Sequence, residues 1–174
     1  MRIRTGVEPG DIGYIIYLHG VLYAQEYELD RTFEGDVAIR MGEFARTYDP
    51  GKDYFAVAEL DGKIVGSIVI NGLSEEIAQL RWFLVHPDAR GRGLGRQLIE
   101  GALAFCRERG FEKVTLWTIS ELKAAAHLYR QAGFTITREE THTIWGATRT
   151  EQEYELSLQR NRAKPGPGAK PEGS

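Results

Sequence analysis

The sequence has little cysteine, no long apolar run and no large excess of charge of either sign. Its single cysteine, Cys106, excludes an internal disulfide and a cysteine-based zinc site and fits a reducing compartment. The longest apolar runs, such as residues 14–18, are far too short to span a bilayer, and residues 1–4 lead into no apolar signal core. We therefore expect a soluble cytoplasmic protein with no membrane partner.

The overall charge also excludes some function classes. The net charge is −3 and the pI is about 5.9, so no general basic surface indicates nucleic acid as a partner. The four histidines are scattered and show no close His-Glu-His spacing, so we expect no metal site. No Ser-His-Asp set is evident, and Cys106 lies among apolar residues of a predicted helix, which indicates core packing.

The chain is long enough for one domain with a substantial core. Residues 160–174, RNRAKPGPGAKPEGS, hold three of the six prolines and almost no apolar side chains. Such a segment cannot offset the entropy of ordering its backbone. We therefore expect a folded domain over residues 1–159 and a disordered tail over 160–174.

Hydrophobic periodicity predicts alternating helices and strands. Helical spacing covers residues 12–27, with Asp11 as the expected N-cap, and continues in 33–48, 94–109 and 121–132. Strand patterns cover residues 3–5, 54–60, 64–70, 77–85, 113–119, 135–143 and 153–158. The resulting order, βααβββαβαββ, predicts an α/β (α+β) protein with a mixed sheet flanked by helices.

A loop rich in glycine and arginine, HPDARGRGLGRQL at residues 86–98, connects a predicted strand to a predicted helix. Glycine allows close backbone approach, and the first helical turn offers free N–H groups with partial positive charge. Arg90, Arg92 and Arg96 add full charges, so the loop predicts a pyrophosphate site. The P-loop and G-x-G-x-x-G patterns are absent, and a solvated turn that only caps the helix is the alternative.

Two motifs together resemble a known family. Arg90-x-x-Gly93-x-Gly95, preceded by Val-His-Pro, resembles the acetyl-CoA motif of the GNAT superfamily of N-acetyltransferases. The pattern AxxLYxxxGF at residues 125–134 resembles the second signature of that family, and the resemblance covers about residues 2–158. It implies a GNAT-type sheet that is mixed but mostly antiparallel. Residues 116–118, 139–140 and 153–156 are most similar to the acetyltransferase domains of bacterial MarR–GNAT fusion proteins.

The resemblance implies acetyl-CoA as co-substrate, held where two parallel strands splay apart. Pantetheine would bond to the backbone of Phe83, Leu84 and Val85, and loop amides would hold the pyrophosphate. The loop residues concerned are Arg90, Gly91, Arg92, Gly93, Leu94, Gly95 and Arg96. Many relatives have an asparagine seven positions before the motif tyrosine. Leu122 stands there in this chain, so Thr118 or Ser120 would replace that contact.

The resemblance also implies direct attack of a neutral primary amine on the thioester in a ternary complex. Tyr129 corresponds to the family's catalytic tyrosine near the CoA sulfur, where it would contact the cofactor and protonate the leaving thiolate. A backbone N–H near Leu84 or Val85 would stabilise the oxyanion. Gln79 stands where histone-type relatives have a glutamate base. Other candidates are Glu75, Glu76, His86, His127 and His142, and we assign the base to none of them.

The acceptor is not identified by the sequence. The first two predicted helices carry tyrosines and acidic residues that would suit a cationic amine, although such residues are also typical of core and solvated positions. These residues are Tyr14, Tyr17, Tyr23, Tyr27, Glu26, Glu28, Asp30, Glu34 and Asp36. Two other functions stay open: an acyl-CoA-binding sensor with little transfer activity, and an interaction domain without a cofactor. A homodimer is possible.

Overall fold

The computed structural model describes residues 1–158, so the predictions for residue 159 and for a disordered tail at 160–174 lie outside it. Its strands are β1 (Arg2–Thr5), β2 (Tyr54–Leu60), β3 (Lys63–Gly72), β4 (Ile77–Val85), β5 (Lys113–Ile119), β6 (Thr135–Ile144) and β7 (Ala147–Ser157). Its helices are α1 (Asp11–Tyr27), α2 (Arg31–Thr47), α3 (Leu94–Arg109) and α4 (Lys123–Gln131), with a short 3-10 turn at Pro87–Ala89.

The strands form one seven-stranded sheet in the order β1-β2-β3-β4-β5-β7-β6. Every neighbouring pair is antiparallel except β4 and β5, which run parallel. A parallel pair needs a crossover connection, and α3 supplies it. The predicted α/β (α+β) class, the mixed and mostly antiparallel sheet and the element order are confirmed.

The two faces of the sheet are covered by different helices. The apolar face of α3, including Leu98, Ile99 and Ala102, packs with Ile68 and Leu116 in the larger core cluster. α3 ends at Gly110, whose φ of 81° is the left-handed conformation of a common helix C-cap. On the other face, α1 and α2 pack through a second cluster. Its buried members are Ile15, Val37, Met41, Phe44, Phe55, Val57 and Val69.

Some predicted boundaries are wrong. The last strand begins at Ala147 instead of residue 153 because its first half pairs with β6 through mostly polar side chains, which show no apolar alternation. Asp11 is the first residue of α1 and not its N-cap, which is Gly10. The Asp11 carboxylate instead accepts the Glu8 backbone N–H at 2.8 Å and binds the Arg4 guanidinium at 2.9 Å.

One buried hydroxyl gives a stability prediction. Tyr154 of β7 is fully buried, and its hydroxyl has no hydrogen-bond partner among residues 1–158. Because an unpaired buried polar group costs desolvation energy, Tyr154→Phe should raise the free energy of unfolding by about 1 kcal/mol. The melting temperature should rise by about 3 °C. Thermal unfolding, with the exposed Tyr17→Phe as the neutral control, measures this; a lower melting temperature would reveal a partner for the hydroxyl.

Candidate active site

The sheet opens between β4 and β5. The two strands pair only at their beginnings, where Ile77, Ala78 and Gln79 face residues 113–115. Residues 80–85 of β4 and 116–119 of β5 do not pair with each other, although β4 stays paired with β3 and β5 with β7. The backbone groups on the facing edges of this gap are therefore free of sheet hydrogen bonds and available to a bound molecule.

β4 carries a bulge beside the gap. The register with β3 shifts there, and Trp82 has a φ of 46°. The carbonyl of Trp82 accepts a hydrogen bond from Ser67 Oγ at 2.7 Å, and the carbonyl of Phe83 accepts one from the Tyr23 hydroxyl at 3.4 Å. Such a bulge bends a strand and changes the direction of its backbone groups. The strand is thus reoriented immediately before Leu84 and Val85.

A cavity of about 370 Å³, here called the loop cavity, lies between α1, the end of β4, the glycine–arginine loop and α4. Most of the predicted cofactor-binding residues line it: Phe83, Leu84, Val85, Arg90, Gly91, Gly93, Leu94, Gly95 and Arg96. Arg92 is exposed and does not line the cavity. Ser120 does not line it either; its hydroxyl contacts Glu121 and its N–H donates to the carbonyl of Thr150.

The loop leaves the N-terminus of α3 open. Gly91 and Gly93 have φ values of 74° and 75°, a region that favours glycine. Gly93 is the N-cap of α3 and supplies no side-chain hydrogen bond to the first turn. A Cβ on Gly95 would lie 2.8 Å from Leu128 Cδ1 and 3.3 Å from Phe83 Cζ, so this glycine permits close packing of the cavity wall. The helix N-terminus can therefore receive an anion.

The loop arginines differ in their partners. Arg90 binds the Glu26 carboxylate of α1, with Nη2 at 2.9 Å from Oε2, and its Nε donates to the Val85 carbonyl at 3.2 Å. Arg96 lies 3.7 Å from Glu100 on α3. The ion pair with Glu26 raises the pKa of Arg90. Glu26 lines the loop cavity and binds Arg90, so a negative charge lies beside one of the side chains predicted to bind the pyrophosphate.

This position gives a binding prediction. Because the Glu26 carboxylate occupies Arg90 and repels phosphate, Glu26→Gln should tighten CoA binding by about fivefold. Calorimetric titration with CoA measures the change. Glu108→Gln, an exposed position on α3 outside the cavity, is the matched control and should leave the affinity unchanged. Weaker binding in Glu26→Gln would mean that Glu26 holds Arg90 in place for the ligand.

A second cavity of about 420 Å³, here called the sheet cavity, lies on the α2 side of the gap. Its aromatic lining residues are Tyr23, Phe33, Trp82, Phe83, Trp117, Tyr129 and Trp145. Its charged lining residues are Asp36, Arg40, Arg81, Glu140 and Glu151. Tyr23, Phe83 and Leu122 line both cavities, so the two cavities meet at these side chains.

Tyr129 lies on α4 and lines the sheet cavity. Its ring packs against those of Phe83, Phe134 and Tyr154, with centroids 5.7–5.9 Å apart. Burial, followed by the nearby Tyr23 and Tyr154, raises the pKa of the Tyr129 phenol above its ordinary value. The phenol therefore keeps its proton at neutral pH and can act as a hydrogen-bond donor or an acid.

His19 was not predicted as a site residue, yet it lines the sheet cavity. Its Nδ1 lies 2.8 Å from the Ile15 carbonyl, which can only accept, so Nδ1 carries the hydrogen and Nε2 is an acceptor. Burial lowers the pKa of His19 to about 4, and its ring stacks on Tyr23 at 5.4 Å. Its place between Leu18 and Leu22 on a buried helix face was the available sequence signal.

The other candidate bases lie in several places. Gln79 lines the sheet cavity and His127 lines the loop cavity. Glu75 and Glu76 are exposed in the turn before β4. His86 Nδ1 accepts the Asp88 N–H at 3.1 Å and caps the 3-10 turn.

His142 and Cys106 are the remaining titratable side chains considered in the sequence. His142 is exposed, and its Nε2 lies 2.6 Å from a Glu151 carboxylate oxygen. Burial raises the pKa of the Cys106 thiol to about 12, so it is not an activated nucleophile.

Of the nine tyrosines and acidic residues considered for the acceptor, Tyr23 and Asp36 line the sheet cavity. Tyr23, Glu26 and Tyr27 line the loop cavity. The other five, Tyr14, Tyr17, Glu28, Asp30 and Glu34, are exposed and line neither cavity. For these five, the ordinary surface interpretation agrees with the structure.

Arg149 connects the two sides of the gap. It lies on β7, is only 6% exposed, and its guanidinium binds the Glu121 carboxylate. Its Nη2 also donates to the carbonyls of Tyr27 and Glu28 at the end of α1, at 3.3 and 3.4 Å. Its Nε has no hydrogen-bond partner among residues 1–158. A buried cation therefore ties α1 to the strands beyond the gap.

Within residues 1–158 no helix is long and apolar enough to cross a membrane. In the same part of the chain, no cluster of three or more His, Cys, Asp or Glu side chains could hold a metal ion.

Solved acetyltransferase structures share this fold. A Salmonella typhimurium protein solved with its cofactor acetyl-CoA shares it with a TM-score of 0.69 and 20% identity, over 95% of this chain and 99% of that one. Spermidine N-acetyltransferase from Vibrio cholerae, solved with CoA and spermine, has a TM-score of 0.69 and 18% identity, over 91% and 96% of the two chains.

The chain belongs to the acetyltransferase (GNAT) family, whose sequence model matches residues 21–134. It is also 34% identical over 125 residues to mycothiol acetyltransferase of Cellulomonas flavigena, which covers 66% of this chain and 35% of that protein. The chain spans about a third to a half of the length of the curated relatives it matches. The resemblance to the GNAT family is confirmed.

Proposed function

We propose that the protein transfers the acetyl group of acetyl-CoA directly to a primary amine within a ternary complex. The observation that carries this proposal is the meeting of two cavities at Tyr23, Phe83 and Leu122. One cavity leads to an open helix N-terminus, and the other contains the buried Tyr129. A donor and an acceptor that enter from the two sides would meet between them.

The residues of the loop cavity fit acetyl-CoA, which supplies the activated acetyl thioester when bound. Nothing lies within 4 Å of the position of a Cβ on Gly91 or Gly93, so the loop backbone is open to a bulky anion. Amides of residues 90–96 would hold the pyrophosphate, and residues 83–85 of β4, which have no partner strand across the gap, would bond pantetheine. Contacts from Arg92 and Ser120, which lie outside the cavity lining, stay predictions.

The chain supplies two groups for the transfer step. The backbone N–H of Leu84 or Val85, directly after the bulge at Trp82, would donate to the developing oxyanion. Tyr129 is protonated at neutral pH, as a phenol ordinarily is and as its raised pKa maintains, and it would donate this proton to the departing sulfur.

Removal of the acceptor's proton is not assigned to one side chain. Gln79 cannot accept a proton usefully. The lining carboxylates Asp36, Glu140 and Glu151 already have hydrogen-bond or ionic partners. We therefore propose that water in the sheet cavity carries this proton away.

The second candidate function is an acyl-CoA-binding sensor with little transfer activity. Two observations favour it: Gln79 lines the sheet cavity where some relatives have a glutamate base, and Leu122 stands where many have an asparagine. This function requires the loop cavity to bind CoA but does not require Tyr129 to act.

A thiol-release assay tests the proposal. Purified protein and acetyl-CoA are mixed with a panel of amines, polyamines, amino acids and lysine peptides. Turnover with one acceptor far above background hydrolysis supports the enzyme, whereas CoA binding by calorimetry without turnover supports the sensor. An absence of CoA binding would contradict both and favour an interaction domain without a cofactor.

Several narrower predictions rest on the sequence alone. They are a cytoplasmic location, a bacterial source, a possible homodimer, the absence of nucleic-acid and membrane partners, and the similarity to the acetyltransferase domains of MarR–GNAT fusion proteins. The last rests on residues 116–118, 139–140 and 153–156 alone.

A further inference from the structure

Two arginines face the sheet cavity from different elements. Arg40 lies on α2 and Arg81 lies on β4, and both line the cavity. Within residues 1–158, neither forms an ion pair within 4.0 Å or donates a side-chain hydrogen bond. The guanidinium of Arg81 lies over the Trp82 ring, 4.3 Å from its centroid.

The two arginines are close enough to influence each other. Burial and the positive charge of Arg40 both lower the pKa of Arg81, and Glu43 partly offsets this effect. Two neighbouring guanidinium groups repel each other and lack a bound carboxylate. A ligand with a negative charge would relieve the repulsion and accept hydrogen bonds from both groups.

The carboxylates of the sheet cavity already have partners. Asp36 accepts the Trp145 Nε1–H at 2.9 Å, Glu140 pairs with Arg138, and Glu151 pairs with His142. Asp36 lies one helical turn before Arg40, yet no ion pair within 4.0 Å joins them. Arg40 and Arg81 are therefore the charged side chains of this cavity to which no described residue is hydrogen-bonded or ion-paired, and both can bind a ligand.

We propose that Arg40 and Arg81 form a subsite for a carboxylate of the acceptor, so that the acceptor is a primary amine that also carries a carboxylate. This inference rests on the proposed function, because it places the acceptor in the sheet cavity. Arg81 lies two residues before Phe83, where the cavities meet, and two residues span at most about 7 Å even in an extended strand. That spacing suits an acceptor of amino-acid size.

The rest of the cavity wall indicates the acceptor's side chain. Phe33, Trp117 and Trp145 line it with aromatic rings. Aromatic walls favour burial of an apolar group. The acceptor class is therefore an amino acid with an apolar or aromatic side chain, and a polyamine should be disfavoured by the two cations.

The test compares L-phenylalanine with 2-phenylethylamine, which lacks only the carboxylate, and with spermine. The readout is the ratio of kcat/KM for L-phenylalanine to kcat/KM for 2-phenylethylamine. Because this ratio is compared between variants, the different pKa values of the two amines cancel. The wild-type protein should acetylate L-phenylalanine in preference to 2-phenylethylamine and spermine.

The variants are Arg40→Gln and Arg81→Gln, with Arg46→Gln as the matched control on the same helix. Arg40 and Arg46 are exposed, so neither substitution should disturb the fold. Arg40→Gln and Arg81→Gln should each lower the ratio by about tenfold, through a higher KM for L-phenylalanine. Arg46→Gln should leave the ratio unchanged, and all variants should keep the wild-type affinity for CoA.

Two outcomes would overturn the inference and leave the proposed function standing. In the first, only amines without a carboxylate are acetylated across the wider panel. In the second, the ratio is unchanged in both Arg40→Gln and Arg81→Gln, which would assign Arg81 only a packing role on Trp82. If no amine is acetylated although CoA binds, the proposed function fails and the inference fails with it.

Discussion

Gly93→Asp should abolish CoA binding and leave the protein folded. Gly93 is the N-cap of α3 and lines the loop cavity, so a carboxylate there would stand against the pyrophosphate. Like charges at such short range in a partly enclosed site should weaken binding at least about a hundredfold. The substitution meets no atom within 4 Å of its Cβ, and aspartate is a favoured N-cap that tolerates a φ of 75° better than most residues.

Two variants separate charge from shape and backbone strain. Gly93→Asn has nearly the same size and the same tolerance of positive φ but no charge, so it should weaken CoA binding far less than Gly93→Asp. Gly62→Asp places the same residue at a φ of 75° in the turn between β2 and β3, outside both cavities. Gly62→Asp should bind CoA normally. Calorimetry gives the affinities, and wild-type affinity in Gly93→Asp would discard the loop as the pyrophosphate site.

Tyr129→Phe should lower turnover by about a hundredfold to a thousandfold with little change in CoA affinity. The phenylalanine keeps the ring contacts with Phe83, Phe134 and Tyr154, so the fold and the cavity walls should be preserved. What is lost is the hydroxyl that would protonate the departing thiolate. Tyr154→Phe, which removes a neighbouring hydroxyl outside both cavities, is the control and should keep wild-type turnover.

The pH dependence of the wild-type rate tests the same role. The pKa of Tyr129 is raised, so its protonated range extends upward beyond pH 10. The value of kcat/KM should therefore rise with pH as the acceptor amine loses its proton, and should not fall up to about pH 10. Single-turnover measurements establish that chemistry limits the rate. An unchanged chemical step in Tyr129→Phe would remove this residue as the acid.

Much of the fold could be predicted because the signals are local. The hairpin of β2 and β3 has alternating or continuous apolar residues on both sides of Asp61-Gly62, a strong turn pair. α3 has glycine at both ends and an apolar stripe between them. The start of β7 was missed because Ala147 and the following polar residues become a strand only by pairing with β6.

The candidate site could be predicted only in part, because several of its contacts join residues that are far apart in the sequence. The glycine–arginine loop and Tyr129 are contiguous motifs, and the structure places both at the cavities. The bulge at Trp82 depends on the register with β3, and the ion pair of Arg90 with Glu26 joins residues 64 positions apart. Arg40 and Arg81 share a cavity only because α2 packs over the sheet. The spacing of residues along the sequence gives no signal for these contacts.

The short parallel pairing of β4 and β5 has a mechanical consequence. Only three residue pairs join these strands in the sheet, so backbone hydrogen bonds contribute little to holding β1–β4 against β5–β7. Side chains must supply the rest, and the larger core cluster does so because α3 packs on strands of both halves. Arg149 adds a polar contact between β7 and the end of α1. The width of the gap is therefore set by side-chain packing more than by the sheet itself.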